Sequence, residues 1–192
     1  YEGLTNIGEH AFGDCTNLTD IIIPNSITKI KKWAFCECTN LKNVSLPNQL
    51  QSIEERAFGN CNSITNIVIP SSCTIIGSSA FQECIGLKTI DLPLNLKLIH
   101  PYAFSGCKLL ESITIPQNTR QIYKAAFNGC ENLKTIIIKN DNLREISDNA
   151  FYKCNSLREV HITNINNWWN TEVKNSQSNP LSNAHRLFVN EE

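Results

Sequence analysis

Apolar residues recur along the chain in a two-part pattern. One part alternates with a period of two: LTDIIIP (18–24), LKNVSLP (41–47), ITNIVIP (64–70) and LESITIP (110–116). This predicts short strands that point Ile21 and Ile23 one way and Ile22 the other. The proline closes each strand, because it has no N–H to extend a ladder. The other part, as in ERAFGNC (55–61), sets apolar residues at i, i+1 and i+4. That spacing predicts one or two helical turns, too short to stand alone.

The two parts alternate with a fixed period. Ala-Phe pairs begin at 11, 34, 57, 80, 103, 126 and 150, five spacings of 23 and a last one of 24. A cysteine follows each Phe by three residues, at Cys15, Cys38, Cys61, Cys84, Cys107, Cys130 and Cys154, and an isoleucine precedes each Phe by five. The unit is I-x-x-x-A-F-x-x-C-x-x-L-x-x-I-x-I-P-x-x-L-x-x-I. Ordering one such coil costs about 1–2 kcal/mol of backbone entropy per residue, and a lone coil leaves both flat faces wet. Stacked coils bury the Ile, Phe, Cys and Leu columns, at roughly 1.5–3 kcal/mol per large side chain, and pair their strands in parallel. The expected architecture is an α/β repeat solenoid of seven coils, with a parallel sheet on one face and short helical turns elsewhere. At about 4.8 Å per coil it is roughly 30 Å long.

This string resembles the BspA-like, 23-residue subclass of leucine-rich repeat proteins over about residues 4 to 163. The resemblance implies a right-handed solenoid on secreted or surface-attached proteins of bacteria or protists. It also implies adhesion to host matrix proteins or other cells, described for a few members. Fold follows from this more firmly than function.

The pattern changes in the sixth unit, where Lys139 replaces the proline and IIIKNDNLREI carries one extra residue. After LREVHIT (157–163) the period stops. The segment 164–192, with Trp168, Trp169, Pro180 and a final RLFV, is therefore expected to be a C-terminal cap on a repeat array spanning 1–163. It is also similar to the W-W…N-P-L…A-x-x-L-x-V-N module between repeat blocks of BspA-like proteins. That similarity and the absence of methionine suggest a piece of a longer chain.

The 192 residues carry 17 basic and 18 acidic side chains, a net charge of −1, so no global field recruits nucleic acid or anionic lipid. No apolar run approaches the roughly 18 residues of a membrane helix, and residues 1–13 do not form a signal peptide. A secreted or surface location rests on the resemblance alone. The ladder cysteines are expected to be small buried residues: a ladder aims every Cβ the same way, whereas a disulfide needs two Cβ atoms to converge. Cys73, in the column of Ile27, Leu50 and Leu96, is expected to be buried too. Cys36 lies off both columns and is the candidate accessible thiol. One pair, Cys36 and Cys38, is too little for a metal site. The four histidines, His10, His100, His161 and His185, hold unrelated repeat positions, and no nucleophile, zinc or phosphate-loop motif is present. Neither catalysis nor a cofactor is expected.

Function is then sought on the sheet face. One outward column runs Ile22, Ser45, Val68, Asp91, Thr114, Ile137, His161; a neighbouring one runs Thr19, Lys42, Thr65, Lys88, Glu111, Lys134, Arg158 and is mainly basic. Lys42, Lys88, Lys134, Arg158, Asp91, His161, Trp168 and Trp169 are the candidate contacts for a host matrix or cell-surface protein. The alternative is a structural spacer with no ligand of its own.

Overall fold

The computed structural model describes residues 3–140 and 142–189, and within them the chain winds as a parallel β-solenoid. Each coil contributes two strands. The longer set comprises β1 (Asp20–Ile22), β3 (Asn43–Ser45), β5 (Asn66–Val68), β7 (Thr89–Asp91), β9 (Ser112–Ile115), β11 (Thr135–Ile138), β13 (Glu159–Ile162) and β15 (Arg186–Val189). The shorter set comprises β2 (Lys29–Ile30), β4 (Ser52–Ile53), β6 (Ile75–Ile76), β8 (Leu98–Ile99), β10 (Gln121–Ile122), β12 (Glu145–Ile146) and β14 (Glu172–Val173). Every pairing is parallel, and equivalent repeat positions meet: Ile21 with Val44, Ile113 with Ile136, Ile53 with Ile76. Register is fixed because slipping one residue would turn the buried isoleucines into water.

The proline that ends each long strand also begins the turn to the short one. Its carbonyl accepts the N–H three residues on, as from Ile27 to Pro24 (3.0 Å) and Leu50 to Pro47 (3.0 Å). In the sixth unit, which lacks this proline, the buried Asn140 donates its amide to the Thr119 carbonyl and accepts the Asn142 N–H, so a side chain organises the longer turn.

The helical turns expected at A-F-x-x-C are absent, and the segment is instead a run of tight turns. Residues just before Ala and two after Phe have positive φ, such as Arg56 (51°) and Asn60 (59°). Left-handed residues cannot propagate a right-handed helix. The N–H groups explain why this is stable. Those of Ala57, Gly59 and Cys61 bond within the turn, to Glu54, Arg56 and Phe58, while those of Arg56, Phe58 and Asn60 donate to Ser78, Ala80 and Gln82 of the next coil. A helix would use every donor locally; here alternate donors join neighbouring coils.

Phenylalanine forms the axis of the core. Phe12, Phe35, Phe58, Phe81, Phe104, Phe127 and Phe151 stack at centroid distances of 5.1–5.7 Å and nearly parallel, 3–10° between planes. The cysteine three residues on has a defined partner. The Cys61, Cys84, Cys107 and Cys130 thiols donate to the Phe35, Phe58, Phe81 and Phe104 carbonyls of the preceding coil at 3.0–3.3 Å.

The segment after Thr163 prolongs both sheets. β14 pairs with β12 and β15 with β13, with Val160 opposite Leu187 and Ile146 opposite Val173. In the turn between β13 and β14 lies α1 (Ile165–Trp169), whose first free N–H groups are met by the Asn164 side chain accepting from Asn166.

Candidate partner-binding faces

The long strands expose alternate residues as aligned columns. Backbone bonds fix the neighbouring basic column: the Lys88 N–H donates to Thr65, Glu111 to Lys88, Lys134 to Glu111 and Arg158 to Lys134 at 2.8–3.1 Å. Lys42, Lys88, Lys134 and Arg158 are all exposed, and so is Asp91 on β7. The column is less positive than its composition suggests. Lys134 Nζ lies 3.3 Å from a Glu111 carboxylate oxygen. In the adjacent column Glu159 faces His161 (3.5 Å) and Arg186 (3.9 Å), and Asn43 donates to Asp20. That hydrogen bond lowers the Asp20 carboxyl below its usual value.

At the opposite end of this face Ile22 and Val68 are each 81% exposed, with Ser45 between them in the outward column. Together with Lys42, Asn43 and Asn66 they border a shallow depression of about 340 Å³. His161 stacks on Phe188 at 4.4 Å, so it belongs to the C-terminal end of the same column.

Three expected site residues stand elsewhere. Trp168 is buried and packs with the core, because α1 turns it inward, whereas Trp169 is 74% exposed. The two tryptophans therefore do not form a joint aromatic surface. Cys36 is not an accessible thiol: it is 3% exposed. The next coil packs against it: a Cβ placed on Gly59, its equivalent there, would lie 3.5 Å from the Cys36 sulfur, an ordinary contact. The exposed cysteine is Cys15, which begins the ladder. Burial raises the other eight thiols, Cys38 to about 11 and Cys154 to about 12. All nine are free.

The histidines stay apart. His10 stacks on Trp33 (5.5 Å) and His100 on Tyr123 (5.9 Å). Burial lowers the His100 imidazole below its usual value. Among the described residues no group of three or more His, Cys, Asp or Glu is placed to hold a metal ion.

A second face was not anticipated from the sequence. The short strands border a concavity of about 680 Å³ lined by Thr74, Ile75, Asn95, Lys97, Leu98, His100, Asn118, Arg120 and Asn142. Its signal was present two residues before the isoleucine of each short strand, where Lys97, Arg120 and Arg144 fall in register.

These features define a leucine-rich repeat solenoid with its surface set out as columns. A model of the BspA type leucine rich repeat region matches in six copies over residues 5–109 and 51–179, and the chain belongs to that family. Among curated protein sequences none matches. The chain is similar to the leucine rich repeat protein of T. pallidum, with a TM-score of 0.75 and 31% identity over 82% of this chain and 74% of that one. It is also similar in fold to a leucine-rich repeat protein from Bacteroides ovatus, with a TM-score of 0.63 and 24% identity over 86% of this chain. It spans about half, 54%, of that protein's length. The pneumococcal vaccine antigen PcpA shares the fold at a TM-score of 0.52 and 19% identity, over 96% of this chain and 39% of its own. No helix among the described residues is long and apolar enough to cross a membrane.

Proposed function

We propose that the chain is a non-catalytic interaction or adhesion module of a secreted or cell-surface protein, and that the long-strand face receives a protein partner. The observation that carries this reading is the pair Ile22 and Val68, each 81% exposed, on β1 and β5 of the same face and bordering one depression with Lys42. Isolated exposed apolar residues are ordinary. Two in one rigid column, beside a cation, supply apolar area and a directional contact that cost little ordering entropy on binding. Solenoids in general present such extended faces to partners. The family, and a structural relative described as a vaccine antigen, support an extracellular setting.

The test is binding of the whole chain to immobilised matrix and cell-surface proteins, comparing it with a Lys42→Glu, Lys88→Glu, Lys134→Glu variant and with Val68→Asp. Saturable binding that either change abolishes, with an unaltered melting temperature, is expected. Binding indifferent to both changes would move the partner off this face. No ligand at all would leave a spacer.

A further inference from the structure

We propose that the concavity on the short-strand face is a second, separate binding site, for an anionic polysaccharide, with Lys97 and Arg120 in its lining and Arg144, at the same position one coil on, continuing their cation stripe. The three residues occupy one position in successive coils: the Arg120 N–H donates to the Lys97 carbonyl (2.7 Å) and the Arg144 N–H to the Arg120 carbonyl (2.8 Å). Their side chains are exposed, and among the described residues none of the three forms an ion pair, unlike Lys32, Lys108, Lys134 and Lys174, which all do. In a chain of net charge −1 this is a local concentration of positive charge with no ion-pair partner among the described residues. Two carboxylates of the adjoining column hold other partners. Glu145 accepts from Gln121 (2.9 Å) and Ser147 (2.7 Å), and Glu172 pairs with Lys174 (2.6 Å).

The rest of the lining selects among polyanions. Asn95, Asn118 and Asn142 line it with amides, of which Asn118 also donates to the Leu94 carbonyl (3.1 Å), and amides match hydroxyl groups that both donate and accept. Ile75 and Leu98 supply an apolar floor for the C–H face of a sugar ring.

Binding of the intact chain to heparin, hyaluronan, poly-glutamate and uncharged dextran tests this. Heparin or hyaluronan is expected to bind, with affinity falling as salt rises; the first result alone marks sulfate and the second carboxylate as the group recognised. A Lys97→Ala, Arg120→Ala, Arg144→Ala variant should lose at least tenfold in affinity with its melting temperature unchanged, while the Lys42→Glu, Lys88→Glu, Lys134→Glu variant retains at least half. Arg120→Gln alone should lose about threefold, which keeps the test usable if the triple variant folds poorly. The proposal is overturned if neither glycan binds, if poly-glutamate binds as tightly, or if binding survives the triple alanine change.

Discussion

Cys107 donates its thiol hydrogen to the carbonyl oxygen of Phe81 across 3.2 Å, from one coil to the coil before it. The same Phe81 carbonyl takes the Cys84 N–H of its own turn at 3.2 Å. The Cys107 thiol thus meets the second lone pair of a buried acceptor whose first is met by the Cys84 N–H, while remaining small enough for the stack.

Cys107→Ala should therefore cost more than its lost volume alone. Removing the weak donor and leaving a small void is expected to destabilise the chain by about 1–2 kcal/mol. Urea unfolding followed by circular dichroism checks this, as a lower midpoint at unchanged slope.

Cys15 is the first cysteine of the ladder in this sequence and is exposed. A thiol reagent is expected to modify this one cysteine quickly in the native protein and all nine after denaturation in urea. Cys15→Ser should abolish the fast phase. A fast phase that persisted in that variant would place an accessible thiol elsewhere.

The buried thiols make stability sensitive to alkali. Burial raises them from 9.0, Cys38 to about 11 and Cys154 to about 12. Above pH 9 the unfolded chain releases thiol protons that the folded one retains, so their contribution is intact below pH 9 and lost on rising through the folded values. The melting temperature should fall progressively from pH 9 toward pH 11, and less steeply in Cys107→Ala. Equal slopes would remove the thiols as the cause.

Gly129 sits at φ 76° in the position two after Phe, where other coils place Asn60, Glu83 or Lys153. A Cβ there would meet nothing closer than 3.7 Å, so an alanine is strained by its backbone alone. Gly129→Ala is expected to cost about 1–2 kcal/mol, visible as a lowered melting temperature. A neutral result would mean that the neighbouring coils hold this conformation at no cost to a side chain.

Strands, register and the buried ladder were legible because they rest on short-range alternation and a period that any coil repeats. The turn at A-F-x-x-C was not. Its apolar spacing is that of a helix, and what decides against one is the donation of the Arg56 and Phe58 N–H groups to another coil, which no local pattern encodes. Trp168 and Cys36 were misplaced for a related reason: each is buried by what lies beside it, α1 turning inward in one case and the next coil, packed against the sulfur at Gly59, in the other. The continuation of both sheets beyond Thr163 was hidden because the A-F-x-x-C landmark is missing there while the strand positions persist. Lys97, Arg120 and Arg144 were visible as a column, but on a sheet whose strands, two residues each, gave little reason to look.

Because alternate N–H groups in the first six A-F turns belong to the neighbouring coil, a coil of this kind loses those bonds once that neighbour leaves. Tension applied along the axis would therefore peel the chain from an end, one coil per event, each event releasing a length set by its 23 residues, roughly 75–80 Å of extended chain. On a tethered cell surface such a string of small, separate yields would absorb a pull that would break a single stiff contact.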